Sequence, residues 1–377
     1  MRDLSEIRKE LDNIDKKLLE LFEQRMDLSL EIAELKKKNR IPVYDPAREK
    51  EKLEMLKGMV RNKDNADAVS DLFTQIMLLS RRAQYDALKV FEDFGFEAAE
   101  SFEAGQDTRI AYYGEAGSYT EQAMLEYFNN KGMGIAMETF EEVMKALKEG
   151  RADYGVLPIE NSSTGTLSDI FDLLAEYDNY IIGEHVVPID HNLWGLPGAD
   201  ISGIRRVYSH PQALLQCSDF LKKHPYMERI QSGSTASCAR RILQDNDITQ
   251  AAIASKRAGE VYGLKLLKAS IHNAEHNRTR FIIISSSKKY LPQASRISVC
   301  FVLPHRSGAL YHILSHFIHN NVNLTRIESR PTKEEAFSYR FFVEFEGSLD
   351  NSQVKNALYS IGQEALELKV LGCYIPV

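Results

Sequence analysis

Apolar residues recur every three or four positions near the start of the chain and predict one long helix with a continuous buried seam. The seam consists of Leu4, Ile7, Leu11, Ile14, Leu18, Leu21, Leu28, Ile32 and Leu35. A second helix is predicted to begin at Asp45, a good N-cap residue, with Pro46 at the first helical position. A third helix is predicted over 65–91, so the first ninety residues are expected to be all-helical.

Three basic residues lie in or beside the apolar seam of the first helix. Arg8 borders it, and Arg25 and Lys36 occupy it. Long basic side chains can cover apolar surface with their charges in water, but three cations on one face without a carboxylate predict a buried anion site. Arg8 and Arg25 are about 25 Å apart along a helix that rises ~1.5 Å per residue. One small ligand can contact both only if Arg8 comes from a second copy of the chain, so we expect a dimer.

The middle of the chain alternates strands and helices from a strand at 109–113, which predicts an α/β fold. Segments rich in hydroxyl and amide groups follow predicted strands at 114–120 and 159–166, precede a predicted helix at 232–236 and lead into a predicted strand at 277–281. Such segments suit an organic acid bound in a cleft between two α/β lobes. They lack both G-x-G-x-x-G and G-K-[ST], so no nucleotide is expected.

The last eighty residues predict the order strand, helix, strand, strand, helix, strand, which is a small α+β sandwich. Gly308 opens the first helix of this module, where backbone N–H groups could approach a ligand carboxylate. A glycine needed only for the turn is the alternative explanation.

The net charge of −7 comes mostly from one segment, because residues 91–107 hold six acidic and no basic residues. The nearly neutral remainder argues against a nucleic-acid surface, and no apolar run reaches the length of a membrane span. The cysteines are widely spaced, which favours a reducing cytoplasm over a disulfide framework or a zinc site. They are Cys217, Cys238, Cys300 and Cys373.

Two histidine patterns offer alternative functions. Residues 272–276 match the H-x-x-E-H signature of a zinc protease, but no other feature supports a peptidase. His312, His316 and His319 share one helical face, which suits a polar or interface surface better than a metal site. We therefore predict neither a metal nor a cofactor.

The helical region resembles the all-helical chorismate mutase domain, an intertwined dimer. The resemblance rests on Arg8, Arg25, Lys36, Asp45, Arg48, Glu49, Ser80 and Gln84, in this order on three helices. It implies that Arg25, and Arg8 of the second copy, bind the substrate carboxylates, with Arg48 adding positive charge. Lys36 and Gln84 would donate to the ether oxygen of the breaking bond. Hydroxyl and carboxylate groups of the substrate would be bound by Asp45, Glu49 and Ser80.

Three motifs of the α/β region resemble prephenate dehydratase, whose two lobes are similar to those of a periplasmic binding protein. They are Glu160-Asn161-Ser162, Ser209-His210-Pro211 and Thr279-Arg280-Phe281. The resemblance implies that Thr279 is the principal catalytic residue and that Arg280 binds or orients a carboxylate. Because a Thr hydroxyl is a weak acid, we treat Thr279 as a positioned donor within a hydrogen-bonded network. Further prephenate-binding residues would be Ser118, Asn161, Ser162, Ser234, Thr235 and Phe281, together with His210, whose role is either structural or catalytic.

The C-terminal module resembles the ACT regulatory domain of phenylalanine-controlled enzymes, in which the amino acid binds between paired modules. The resemblance rests on Ser307-Gly308-Ala309-Leu310 and Glu328-Ser329-Arg330-Pro331. It implies that Asn323 and Leu324 face the ligand. This chain has His305-Arg306-Ser307 where a proline often precedes the glycine.

These resemblances predict a helical domain at 1–90, an acidic linker at 91–107, a dehydratase domain at 108–288 and an ACT domain at 296–377. The expected protein converts chorismate to prephenate and prephenate to phenylpyruvate, and L-phenylalanine inhibits it. It is expected to form a homodimer or tetramer and to bind neither nucleic acid nor membrane. The alternative is a non-catalytic regulatory protein that combines a solute-binding-like cleft with an amino-acid sensor.

Overall fold

The computed structural model describes residues 3–88, 94–274, 276–305, 308–332 and 338–377, and it begins with three helices. They are α1 (Leu4–Asn39), α2 (Pro46–Met59) and α3 (Ala66–Leu88), which confirms the all-helical prediction. α1 ends where Arg40 takes a left-handed conformation with φ 54°. α2 begins where the Asp45 carboxylate accepts a hydrogen bond from the Arg48 N–H at 3.0 Å. Both α1 and α2 pack on α3.

A first α/β lobe follows, built on a mixed sheet. Its elements are β1 (Glu97–Ala98), β2 (Arg109–Tyr113), α4 (Tyr119–Tyr127), β3 (Met133–Met137), α5 (Phe140–Lys148), β4 (Tyr154–Asn161), β5 (Gly165–Thr166), α6 (Ser168–Glu176) and β6 (Tyr180–Pro188). β2 pairs in parallel with β3 and β4. α5 begins with a capping box, in which Thr139 and Glu142 each accept a hydrogen bond from the other's backbone N–H.

After β6 the chain builds a second lobe on a separate sheet with the strand order β11-β7-β10-β8-β9. Its elements are β7 (Asn192–Gly195), β8 (Arg206–Ser209), α7 (Pro211–Gln216), α8 (Ser218–Lys222), β9 (Glu228–Gln231), α9 (Thr235–Asp245), β10 (Gln250–Ala254), α10 (Lys256–Val261) and β11 (Lys265–Lys268). The chain then returns to the first lobe as β12 (Arg278–Ser285), which lies between β4 and β6 and is antiparallel to both. The predicted arrangement of two α/β lobes is therefore confirmed.

The C-terminal elements follow the predicted order of strands and helices. They are β13 (Lys289–Tyr290), β14 (Arg296–Val302), α11 (Ala309–His319), β15 (Leu324–Pro331), β16 (Tyr339–Glu346), α12 (Ser352–Glu364) and β17 (Glu367–Tyr374). β13 pairs with β1 in a separate two-stranded sheet, and the other four strands extend the sheet of the first lobe, in the order β15-β16-β14-β17-β6-β12-β4-β2-β3. β17 meets β6 where Gly372 pairs with Ile181, and a Cβ at position 372 would collide with the Ile181 carbonyl oxygen.

The chain divides into two compact units. The helical unit comprises Met1–Asp93, Leu303–Asn323 and Leu349–Glu367. The α/β unit comprises Phe94–Val302, Leu324–Ser348 and Leu368–Val377, and it holds both lobes with the C-terminal strands. Helices α11 and α12 thus belong to the helical unit. Within the described residues, no helix is both long and apolar enough to cross a membrane.

Candidate active sites

Helix α1 carries two partly buried cations, Arg25 and Lys36. Nη1 of Arg25 donates to the Ser80 hydroxyl and, at 3.4 Å, to the Ile76 carbonyl oxygen. Nζ of Lys36 donates to the Val43 carbonyl oxygen at 2.5 Å. Burial lowers the pKa of both Arg25 and Lys36, and nearby carboxylates oppose this effect. Two cations held partly out of water attract an anionic ligand more strongly than exposed ones do.

Ser80 and Gln84 lie four residues apart on α3, and both are buried. Oε1 of Gln84 is a buried acceptor that has no hydrogen-bond partner among the described residues. Asp45 and Arg48 are exposed, and Arg48 forms an ion pair with Glu51 at 2.8 Å. The structure therefore brings Arg25 to Ser80 where α1 packs on α3, joins Lys36 to the segment between α1 and α2, and leaves Arg48 at the surface.

Arg81 is a candidate that the sequence analysis missed. Its side chain is 8% exposed, it contacts Glu49 of α2, and it lies 2.8 Å from Glu364 of α12. Burial lowers the pKa of Arg81, but the attraction of Glu49 and Glu364 outweighs burial and the pKa is raised. In the sequence, Arg81 follows directly after the predicted site residue Ser80, which is a local indication that it belongs to the site. The contact with Glu364 has no such indication, because the two residues are far apart along the chain.

The apolar seam of α1 is largely exposed. Leu18 and Leu21 are 55% and 62% exposed, and Arg8 is exposed on the same helix. The residues of α1 that are buried are the small Ser29 and Ala33. Within the described chain, a long apolar face therefore lacks a covering element.

The second site centres on Asn161 and Thr279, which lie opposite each other on β4 and β12. Nδ2 of Asn161 donates to Oγ1 of Thr279 at 2.8 Å. The amide orientation is fixed, because Oδ1 of Asn161 accepts hydrogen bonds from the Ser163 N–H at 2.9 Å and hydroxyl at 2.6 Å. Thr279 is 7% exposed, and since its oxygen accepts from Asn161, its hydroxyl hydrogen is directed elsewhere. The sequence predicted Asn161 and Thr279 in polar segments next to strands, but both residues lie within strands.

A hydrogen-bond network continues from this pair into the second lobe. Nε2 of Gln216 donates to the Ser163 hydroxyl at 2.6 Å, and Oε1 of Gln216 lies 2.9 Å from Nε2 of His191. Nδ1 of His191 lies 3.1 Å from the Tyr119 hydroxyl. Burial lowers the pKa of His191, so the imidazole is neutral at neutral pH. The sequence analysis missed Gln216 of α7, His191 between β6 and β7, and Tyr119 of α4, which are far apart along the chain.

Three predicted prephenate-binding residues cap helices. Ser118, Ser234 and His210 accept hydrogen bonds from backbone N–H groups in the first turns of α4, α9 and α7, at 3.2, 3.0 and 3.2 Å. Burial lowers the pKa of His210. The turn before α4 contacts the second lobe, because the Ser255 hydroxyl donates to the Gly117 carbonyl oxygen at 2.7 Å. Ser118 thus lies where the two lobes meet.

The other predicted residues of this site have varied surroundings. The Ser162 hydroxyl accepts a hydrogen bond from the Arg278 N–H at 2.9 Å, which ties the end of β4 to the start of β12. Thr235 is the first residue of α9. Phe281 is 1% exposed and packs in the hydrophobic core of the first lobe, where it contributes to packing.

Arg280 does not face Thr279, because consecutive residues of a strand point to opposite sides of the sheet. Its guanidinium lies 3.4, 3.0 and 2.9 Å from Glu160, Glu184 and Glu344. Protein carboxylates therefore already neutralise this cation, and the implied role of Arg280 in binding or orienting a substrate carboxylate stays a prediction.

The histidine patterns do not assemble metal sites in the described parts of the chain, where no suitable group of three or more ligands occurs. His272 lies 3.2 Å from Asp190, and Glu275 lies outside the described residues. His319 lies 3.0 Å from Oε1 of Gln75.

Among the predicted effector residues, Gly308 precedes α11 with φ 78°, and Ser307 lies outside the described residues. Glu328 of β15 accepts a hydrogen bond from the Thr166 hydroxyl at 2.8 Å. Ala309 and Leu310 begin α11, Leu324 begins β15, and Ser329 lies within β15. Asn323 comes directly before that strand.

Two family models match the chain. The model for chorismate mutase type II matches residues 7–85, and the model for prephenate dehydratase matches residues 110–289. The bifunctional chorismate mutase/prephenate dehydratase of Aquifex aeolicus is 34% identical over 99% of this chain and 98% of its own length. The protein of the same name from Neisseria gonorrhoeae is 31% identical over 97% and 95%. A crystal structure of prephenate dehydratase from Arthrobacter aurescens in complex with L-Phe covers 71% of this chain and 90% of its own, with 30% identity and a TM-score of 0.66.

Arg81→Met should lower the free energy of unfolding of the helical unit by about 3–5 kcal/mol, because the buried carboxylate of Glu364 loses its arginine partner and keeps only His316, at 3.1 Å. Urea unfolding followed by far-UV circular dichroism measures this change. Arg82→Met, at a more exposed neighbour, is the control and should change stability by less than about 0.5 kcal/mol. Equal losses for the two variants would contradict a special role for the Arg81 ion pairs.

Proposed function

The chain belongs to the bifunctional chorismate mutase/prephenate dehydratase family, and we propose how its residues divide the two reactions. It converts chorismate to prephenate and prephenate to phenylpyruvate. The observation that carries this conclusion is that two separate polar groups, around Arg25 and around Thr279, each lie in a region matched by one of the two family models. Relatives matched along the whole chain are named as enzymes for both steps, which leaves the non-catalytic alternative without support.

The first reaction is a Claisen rearrangement, in which one C–O bond breaks and one C–C bond forms without a nucleophile or proton transfer. The enzyme must hold the dianion in a compact conformer and place donors where charge develops. Arg25 binds one carboxylate, and Lys36 and the buried Gln84 amide donate to the ether oxygen. Glu49 accepts a hydrogen bond from the substrate hydroxyl, as a carboxylate held in place by Arg81 can do.

The second reaction removes CO2 and hydroxide from prephenate. The bond to the carboxylate breaks, its electron pair enters the ring, and the C–O bond to the hydroxyl breaks with its pair on oxygen, so the ring becomes aromatic. Thr279 donates to the departing hydroxyl, which leaves as water once protonated through the network. Asn161 assists, because its N–H group donates to the Thr279 oxygen and makes the hydroxyl a better donor. Ser118 and Ser234 bind the substrate from the two lobes.

We infer that L-phenylalanine binds the C-terminal module and inhibits the dehydration. A similar dehydratase is described in complex with L-Phe, and this chain has the strand and helix order of the module. At Gly308 the backbone φ of 78° would strain any other residue. The effector site would comprise Ser307, Gly308, Ala309, Leu310, Asn323, Leu324, Glu328 and Ser329.

We infer that the mutase is a dimer with shared sites. The apolar face of α1 is exposed over about 36 residues, more than an isolated helical unit normally presents to water. A second copy of α1 is the occupant that also delivers Arg8 to the pocket of Arg25, which is too far away along one helix.

Lys36→Ala should lower chorismate mutase turnover by about 10²–10³-fold, as expected for loss of one donor to developing charge. Dehydration of added prephenate should change by less than about twofold. Thr279→Ala should have the opposite pattern, and separate assays with chorismate and prephenate measure both. Lys37→Ala, on an exposed neighbour, is the control. Equal loss of both activities in either variant would contradict separate sites.

Gln216→Leu should lower kcat for prephenate by about tenfold with a smaller change in KM, because the Asn161 loop loses its link to His191. Steady-state dehydratase kinetics measure the split. Gln212→Leu on the same helix is the matched control and should leave both constants unchanged. A change in KM alone would indicate that Gln216 binds substrate instead.

Mixing Arg8→Ala chains with Arg25→Ala chains should regenerate mutase activity. Each homodimer lacks an essential cation at both sites, whereas a heterodimer has one complete site, so about a quarter of all sites should be active. The measurement is mutase turnover before and after the chains exchange. Arg8→Ala alone after the same treatment is the control, and an inactive mixture would argue against shared sites.

A further inference from the structure

Two of the three dehydratase motifs contain a charged residue, Glu160 or Arg280, that faces away from the catalytic pair of Thr279 and Asn161. Thr279 and Asn161 are cross-strand partners, and so are Arg280 and Glu160. Because side chains alternate along a strand, the two pairs lie on opposite faces of the sheet. The catalytic pair is neutral, whereas the pair behind it is ionic, with Nε of Arg280 3.4 Å from Glu160.

Arg280 is the centre of a buried charge cluster shared with the C-terminal strands. It lies 3.0 Å from Glu184 of β6 and makes two hydrogen bonds to Glu344 of β16, at 3.0 and 2.9 Å. The side chains of Glu184 and Glu344 are 1% and 5% exposed. Arg296 of β14 lies 2.8 Å from Glu184. Removing one charge from such a cluster leaves the remaining buried charges unbalanced, so the cluster favours a defined position of the strands.

Glu160 has a second partner from the C-terminal strands. Nη1 of Arg326, on β15, lies 3.0 Å from Glu160, and Nη2 of Arg326 lies 3.5 Å from Glu328. Glu328 belongs to the motif assigned above to the effector. A cavity of about 330 Å³ borders Glu328, Arg326 and Arg280. Contacts therefore run without a break from the effector motif to β4.

We propose that Glu160 and Arg280 are positioning residues for the dehydration, and that β15 and β16 control them through Arg326 and Glu344. This inference rests on the proposed dehydratase and its inhibition by L-phenylalanine. Glu160 directly precedes Asn161 of the catalytic pair. A change in the positive charge beside Glu160 therefore moves the end of β4.

The proposal explains how a ligand at the C-terminal module affects a reaction on the other face of the sheet. An effector that changes the contact of Glu328 with Arg326 alters the ion pair of Arg326 with Glu160. The displacement reaches Asn161 through the backbone of β4. A cluster that only stabilised the sheet would leave the response to the effector unchanged when Arg326 is altered.

The test uses the full chain with Arg326→Met, Arg326→Lys or Glu344→Gln. Glu346→Gln is the matched control, since Glu346 is exposed and lies two residues along the same strand. The measurements are kcat and KM for prephenate, maximal inhibition by L-phenylalanine, L-phenylalanine binding by calorimetry, and mutase turnover as a report on folding.

Arg326→Met should reduce maximal inhibition by at least about threefold while L-phenylalanine still binds, and Arg326→Lys should restore part of it. Glu344→Gln should lower kcat for prephenate by about fivefold or more with a smaller change in KM. Glu346→Gln should behave like the unaltered chain.

Unaltered kcat together with unaltered inhibition in Arg326→Met and Glu344→Gln would overturn the proposal. Failure of the proposed function is distinguishable, because the unaltered chain would then neither dehydrate prephenate nor bind L-phenylalanine. If Glu344→Gln does not fold, the maximal inhibition of the two Arg326 variants by L-phenylalanine tests the proposal. If the unaltered chain dehydrates prephenate but does not bind L-phenylalanine, kcat of Glu344→Gln decides.

Discussion

The antiparallel register of β4 against β12 is the constraint on which the dehydratase site depends. It places Thr279 opposite Asn161 and Arg280 opposite Glu160. The ladder continues past the end of β4, where the Ser162 N–H donates to the Arg278 carbonyl oxygen at 2.9 Å. A slip of one residue would exchange the two faces and put ionic groups where the neutral donor is needed. Motif residues that are adjacent in sequence therefore have different partners.

The two sites differ in how they treat charge. In the helical unit, Arg25 and Lys36 are partly buried and bonded mainly to neutral oxygens, so their charge remains available to an anionic substrate. In the α/β lobes, Thr279 and Asn161 are neutral, and Arg280 is neutralised by carboxylates on the opposite face. This contrast matches the reactions. A rearrangement of a dianion needs fixed positive charge, whereas loss of hydroxide needs an oriented hydrogen-bond donor.

Local sequence patterns predicted the helices, the two α/β lobes and most strands of this chain. Periodicity identified α1, and the Asp45 cap with Pro46 located the start of α2, because these signals depend on neighbours within one turn. Motif resemblance identified Thr279 and Asn161, which the structure brings together. The resemblance gave no sign of the ion pairs of Arg280, since its partners Glu184 and Glu344 come from strands far away in the sequence.

The residues that were missed share one physical property, which is that their partners are distant along the chain. Arg81 depends on Glu364, and Gln216 joins Ser163 to His191 across two lobes. No spacing rule connects such positions, because the contact exists only after the chain has folded. Burial of a polar group beside a specific partner is a tertiary property, so no local sequence pattern encodes it.

The close approach at Gly372 has a consequence for how much of the chain the catalytic lobes require. β17 meets the outer edge of β6 at the pair of Gly372 with Ile181, and Ile181 and Ile182 are buried in the core. A chain shortened before residue 296 would present β6 as a bare edge strand, whose free backbone groups can pair with the same edge of another molecule. The C-terminal strands therefore shield this part of the catalytic sheet, and in a truncated chain a charge or proline at the exposed edge would take over that protection.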